Sequence, residues 1–287
     1  MKYYIELNDI SMKERVRLAT MTEDIDLLDV FAKDEAWQVR KAVAENIYVT
    51  GEILLQLIDD PDISVRNAVA ENENATIDIL YALASDKQNI IRINVALHKY
   101  VTESTLDELC HDESVEVRIA VATSKNASAV ILAKLVEDED ERVRIAVAEN
   151  KNVSEEILIT LSVDESAKVR RKVAENIYAT EDILAELAFN LEVDVRTAVA
   201  KNVNATRDIL TMLSDDDAIE VRAGVASNIN VTRQLLYKLS KDIAWEVRNA
   251  VASNDLVSKR ILYNLIVDSD TDVSETAVIM LKRKTNG

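Results

Sequence analysis

Arginine is the residue type whose spacing most invites a chemical reading. Val-Arg or Ile-Arg pairs fall at Arg17, Arg40, Arg66, Arg92, Arg118, Arg144, Arg170, Arg196, Arg222 and Arg248, and from Arg40 onward every step is 26 residues. Guanidinium groups in register can line a track for carboxylate or phosphate, because each presents a planar fork of donors. Other reactive types are sparse. The one cysteine, Cys110, cannot close an internal disulfide, and with His98 and His111 as the only histidines no finger-type metal set can be assembled. Three glycines cannot build a phosphate-cradling loop. Acid pairs such as Glu155-Glu156 and Asp215-Asp216-Asp217 fall at expected helix starts and loops, where carboxylates suit the macrodipole and solubility. The sequence therefore offers no catalytic residue, metal ligand or cofactor site, and the chain reads as non-enzymatic.

Composition narrows the class further. With 48% apolar residues, 3 Gly and 1 Pro, the chain has enough core material and little for β-turns or disordered linkers, so it is expected to be folded and mostly helical. No apolar run is long enough to span a membrane, and the start MKYYIELNDI has acids where a signal peptide needs a basic and then apolar stretch. Together with the lone cysteine this gives the expectation of a cytoplasmic protein with no membrane partner. Net charge is −18, and residues 205–287 hold 11 Lys+Arg against 12 Asp+Glu, leaving 23 against 40 on residues 1–204. That balance opposes direct nucleic-acid binding, which needs clustered cations. Asn-X-Thr triplets such as Asn74-Ala75-Thr76 and Asn230-Val231-Thr232 recur because the repeat fixes Asn and Thr, and they are not read as glycosylation sites.

The elements that carry these residues follow from the same period. In nine regular repeats the third residue after the arginine is Val (Val43 through Val251) and the fourth is Ala (Ala44 through Ala252), which implies a tight helix contact. The sixth is usually Asn, as at Asn46, Asn72 and Asn228, a residue that tolerates the left-handed conformation and so suits the end of a first helix. His98 takes that place once and is read as a capping group. Four residues later comes Thr or Ser, the expected N-cap of a second helix with an apolar stripe such as Ile53, Leu54 and Leu57. An Asp six residues before the next arginine, replaced once by Asn190, is expected to begin the next first helix. Helices of eight to ten residues are marginal alone, so the repeats must stack. Cys110 is expected in the core, where its equivalents are Ile58, Ala84 and Val136, and Trp37 and Trp245, in one slot of the first helix, are expected to pack in the core or at its edge rather than to bind a partner.

The segments VRNAVAENENATIDILYALASD and VRIAVAENKNVSEEILITLSVD resemble the repeats of variant leucine-rich repeat proteins within the wider HEAT-like superfamily, over residues 12–280. The resemblance implies an all-α, right-handed superhelical solenoid of tandem two-helix repeats. The expected layout is a divergent N-terminal cap at 1–33, nine regular repeats over 34–267 and a C-terminal cap helix and tail at 268–287, in one continuous domain. Some members of that family carry a cysteine-rich iron–sulfur segment, for which Cys110 alone cannot supply ligands. The family's proline near the second helix is here Thr or Ser. The resemblance also implies that the arginines are struts, each paired with the Asp six positions earlier, as Asp60 with Arg66 or Asp138 with Arg144. A HEAT-like DNA glycosylase would need a basic surface, which the acidity of residues 1–204 opposes.

In HEAT-like solenoids the second helix lines the concave face, so its first and fifth positions are where a partner is expected. That stripe runs Gly51/Leu55, Ile77/Tyr81, Glu103/Asp107, Ala129/Ala133, Glu155/Ile159, Glu181/Ala185, Arg207/Thr211, Arg233/Tyr237 and Lys259/Tyr263. Arg207, Arg233, Lys259 and Arg260 stand in the first turn of their helices, where cations oppose the macrodipole by roughly 0.3–1 kcal/mol each. With Tyr237 and Tyr263 they form an Arg/Tyr cluster of the kind enriched at binding hot spots. The competing explanation is repeat drift with i,i+4 cation–aromatic packing. The reading is a binding scaffold that holds a protein or peptide with an acidic segment through these six residues. The alternative is an acidic decoy that mimics nucleic acid and blocks a DNA-binding protein, in which Glu155, Glu156, Glu181 and Asp182 would matter instead.

Overall fold

The computed structural model describes residues 10–286 and is all-helical, with 21 helices and no strand among the described residues. Of the expected N-terminal cap, residues 1–9 lie outside the described residues. The chain forms two compact units, one through Asn152 and one from Val153 onward.

Each repeat is a first helix of about nine residues and a second of about seven, as in Ile63–Glu71 with Ile77–Leu83, or Ile219–Ser227 with Arg233–Leu239. Within each unit, successive first helices pack on one another and most second helices pack on their own first helix. The Val–Ala pair makes this contact close: Val69, Ala70, Val225 and Ala226 are fully buried. At position 224 even alanine gives way to glycine, where an added Cβ would sit 3.0 Å from the Ala200 Cβ. The second helix contributes Ile, Leu and Leu to the same core, for example Ile209, Leu210 and Leu213. Each such side chain stabilises by roughly 1.5–3 kcal/mol, and the short helices depend on it. Cys110 is buried as expected, its thiol donating to the Asp107 carbonyl at 3.0 Å, and burial pushes its pKa up.

Four expectations change in physical detail. First, the column asparagines are not left-handed: Asn72 sits at φ −71° and ψ 130°, and no described residue has positive φ. Asparagine is chosen for its amide. Asn72 Nδ2 donates to the carbonyls of Ala44 at 2.7 Å and Asn46 at 3.2 Å in the preceding repeat, and its Oδ1 accepts the Asn74 N–H. His98 reproduces this with two ring nitrogens, Nε2–H donating to the Asn72 carbonyl and Nδ1 accepting from the Tyr100 N–H.

Second, the arginine ladder is real but its carboxylate partner is 20 residues ahead rather than six behind. Arg66 Nε and Nη2 hold Asp86 at 2.6 and 3.2 Å, while Nη1 donates to the backbone carbonyl of Asp60 at 2.6 Å. The Asp60 carboxylate cannot take Arg66 because Arg40 of the previous repeat already holds it. Third, that Asp does not begin the helix: Asp60 Oδ1 accepts the Asp62 N–H to form the turn, and Asp62 is the N-cap. Fourth, the first rung belongs to Arg15 rather than Arg17. Arg15 holds Asp34 through Nε and Nη2 and reaches the Ile10 carbonyl, whereas Arg17 is 67% exposed and pairs with Glu14.

The Thr/Ser caps of the second helices form at Thr50, Thr76, Thr102, Ser128, Ser154, Thr232 and Ser258. At Thr180 and Thr206 the hydroxyl is buried without a partner. The sequon asparagines are structural too, since Asn74 Nδ2 bonds the Ile47 and Val49 carbonyls at 2.9 and 2.8 Å. The final helix, Thr271–Asn286, docks its tail through Arg283 on the Asp255 carboxylate and Lys284 on the Asp255 carbonyl.

Candidate partner-binding face

All six expected contact residues belong to the unit that begins at Val153, on the second helices Arg207–Leu213, Arg233–Leu239 and Lys259–Leu265. Each of these helices buries its third, fourth and seventh residues, which leaves the first, second and fifth outward. Arg207, Arg233, Lys259 and Arg260 are exposed, and none makes an ion pair. Other second-helix cations are neutralised locally: Lys134 holds Asp107, and Lys238 holds Asp215 at 2.5 Å and Ser214. The four cations are therefore available to an outside carboxylate, and no intramolecular bond must break first.

Tyr237 and Tyr263 are 43% and 56% exposed. The cation over Tyr237 is Lys241, with Nζ 4.1 Å from the ring centroid and 2.8 Å from the phenol oxygen, to which it donates. That hydrogen bond holds the Tyr237 pKa below the ordinary tyrosine value. The expected i,i+4 cation–aromatic packing thus exists, but with the cation on the C-terminal side, and Arg233 stays free. Lys241 covers one face of the ring, and the side chain as a whole stays exposed.

Two further features of this unit escaped the sequence reading. The turns that follow the second helices carry exposed apolar side chains, Phe189 at 74%, Leu191 at 93% and Ile243 at 93%, where the other unit has mostly charged residues such as Glu113, Glu137 and Glu139. Lining up the 26-residue columns would have exposed the contrast. The other is a broken rung. At Arg170 the acceptor is Asn190; Nη2 reaches its Oδ1 only at 3.5 Å, and the buried Nε has no partner. In intact rungs a carboxylate oxygen accepts from Nε; an asparagine that turns its Oδ1 toward Nη2 has only its NH2 donor left for Nε, which accounts for the orphan. The substitution was visible in the sequence, but its effect needs the 20-residue reach of the fork.

Trp37 and Trp245 are 39% and 40% exposed at the starts of their first helices, so neither is a core residue. Among the described residues no three His, Cys, Asp or Glu side chains are placed to hold a metal ion, and no helix is long and apolar enough to cross a membrane.

No protein-family model matches the sequence, and no curated protein matches it. Solved structures do. A leucine-rich repeat variant with a repetitive structural motif matches at TM-score 0.52 and 22% identity over 87% of this chain and 88% of that one. The Escherichia coli protein YibA matches at TM-score 0.37 and 19% identity, over 88% and 98% of the two chains. An engineered protein matches at TM-score 0.30 and 14% identity, over 96% and 94%. The first likeness and the helix-by-helix stacking agree on architecture: the chain has the all-helical tandem-repeat fold of the leucine-rich repeat variant.

Proposed function

We propose that this protein is a non-catalytic binding scaffold that holds a protein or peptide partner through an acidic segment lying on the second-helix face of the unit beginning at Val153. The observation that carries the reading is the set Arg207, Arg233, Lys259 and Arg260, exposed without ion pairs beside Tyr237 and Tyr263, in a chain that neutralises ladder arginines such as Arg196, Arg222 and Arg248 with aspartate. Such a set is locally unfavourable at helix N-termini, so an external anion gives it a use. Repeat arrays suit this role because surface residues vary freely over a fixed core. A cytosolic setting, and end caps at residues 1–33 and 268–287 around nine regular repeats, belong to the same proposal.

The test is affinity capture with wild type and an Arg233→Glu/Tyr237→Ala/Tyr263→Ala variant, matched for helicity by circular dichroism. The scaffold reading expects a specific, salt-sensitive partner of wild type to be lost by the variant. Equal capture by both chains removes this face from the argument, and losses confined to Glu155, Glu156, Glu181 and Asp182 substitutions support a nucleic-acid mimic instead.

A further inference from the structure

Charge changes sign along the second helices of the unit beginning at Val153. The first two residues of five successive helices are Glu155-Glu156, Glu181-Asp182, Arg207-Asp208, Arg233-Gln234 and Lys259-Arg260, with formal charges of −2, −2, 0, +1 and +2. All ten side chains are exposed and none forms an ion pair. The macrodipole does not explain the order, since it favours acids in the first turn of every one of these helices. Local pairing does not explain it either. Further along the same helices stand exposed apolar or aromatic side chains, Ile159, Tyr237 and Tyr263, and the turns beyond them carry Phe189 and Val267.

The spacing of the charges selects the shape of what they meet. Lys238 reaches Asp215 across neighbouring repeats, so adjacent second helices lie within side-chain reach. Packed helices sit about 8–10 Å apart. A polyproline II chain advances about 3.1 Å per residue with about three residues per turn, so one helix step matches about three residues and every third side chain faces the same way.

We infer that this face holds an extended peptide segment of about 13 residues whose every third side chain runs from acidic to basic. Acids lie opposite Lys259-Arg260 and Arg233, a neutral hydrogen-bonding residue lies opposite Arg207-Asp208, and bases lie opposite Glu181-Asp182 and Glu155-Glu156. The intervening side chains rest on Tyr237 and Tyr263. This inference rests on the scaffold reading and narrows it, from an acidic segment to a charge-ordered one that fixes register and direction.

Three fluorescein-labelled peptides with common Ser/Ala/Leu fillers test it by anisotropy against the full chain at low salt. One is ordered, Glu-x-x-Glu-x-x-Gln-x-x-Lys-x-x-Lys. One is a palindromic shuffle, Glu-x-x-Lys-x-x-Gln-x-x-Lys-x-x-Glu, so that reversal cannot restore the order. One carries Glu at every third position. The ordered peptide is expected to bind about tenfold tighter than the shuffle, from modest gains at several exposed ion pairs. Glu181→Lys/Asp182→Lys weakens the ordered peptide and strengthens the all-acid one, while Lys259→Glu/Arg260→Glu weakens both. These surface changes leave the core intact, and circular dichroism confirms equal folding. If the all-acid peptide binds wild type as well as the ordered one, the charge order is wrong and the acidic-segment scaffold survives. If no peptide binds above background, both fall. A dimer by sedimentation that dissociates in Lys259→Glu/Arg260→Glu assigns the face to a second copy and overturns the inference.

Discussion

Asn190→Asp should stabilise this protein, because it turns the broken rung at Arg170 into the rung its neighbours have. At Arg196 and Arg222 the carboxylate accepts Nε at 2.6 and 2.7 Å and Nη2 at 3.0 Å, with the arginine side chains 16% and 13% exposed and each aspartate 9%. At Arg170 the Nε is buried without an acceptor and Nη2 is 3.5 Å from Asn190 Oδ1. Replacing an orphan donor by a charge-assisted hydrogen bond is favourable by about 1.5–3 kcal/mol, and desolvating the new carboxylate takes back part of it. A net gain of about 1–2 kcal/mol follows, or roughly 3–8 °C in Tm for a unit of this size.

The assay is thermal and urea unfolding followed by circular dichroism at 222 nm, with Asp216→Asn as the reciprocal variant that creates the same defect one rung on. Burial opposes ionisation of Asp216, yet the hydrogen bonds from Arg196 and from the Ala218 N–H outweigh it and hold the pKa below the ordinary carboxylate value. A carboxyl whose folded pKa is lowered adds stability above its unfolded pKa and loses it as pH falls through the folded one. The Asn190→Asp gain should therefore be complete at pH 7 and fade below about pH 4. An unchanged or lower Tm for Asn190→Asp, alongside the expected loss in Asp216→Asn, would refute the donor-against-donor account.

Other expected outcomes follow from the same contacts. Arg15→Ala should lower stability by about 1–3 kcal/mol in urea titrations while Arg17→Ala stays within about 0.5, because only Arg15 is forked on a carboxylate. Asn228→Ala should lower stability by about 2–4 kcal/mol, since its amide satisfies the Ala200 and Asn202 carbonyls at 2.8 Å each and accepts the Asn230 N–H. Burial lowers the His98 pKa despite the raising effect of its bond to the Asn72 carbonyl; of the facing charges Lys99 lowers it and Glu73 raises it. The unfolded chain thus takes up a proton that the folded one resists, so stability should drop as pH falls through about 6.5, and melts of His98→Asn should lose that component.

Much of the architecture was legible because a 26-residue period leaves few solutions. Invariant Val–Ala pairs, a Thr/Ser before each apolar stripe and the scarcity of Gly and Pro specify two short helices that must stack, and the helices observed are those. The four candidate cations Arg207, Arg233, Lys259 and Arg260 stand out in the sequence as a departure from what a helix N-terminus prefers, and the structure adds that they lack ion-pair partners. Misreadings arose wherever a side chain acts between repeats. The asparagine column looked like a backbone preference and is a hydrogen-bond ladder to the previous repeat; the Asp–Arg pair looked local and spans 20 residues; Arg17 fitted the motif while Arg15 holds the rung.

The division has a physical cause. Periodicity, capping and burial are properties of a residue and its near neighbours along one helix, so the sequence by itself determined the helices, the repeat length and the apolar face. Which carbonyl an amide reaches, which carboxylate a fork closes on, and which charge is left over depend on distances between stacked repeats. Only the tertiary structure decided that Asn190 leaves a guanidinium nitrogen unmatched and that Lys241, not Arg233, covers Tyr237.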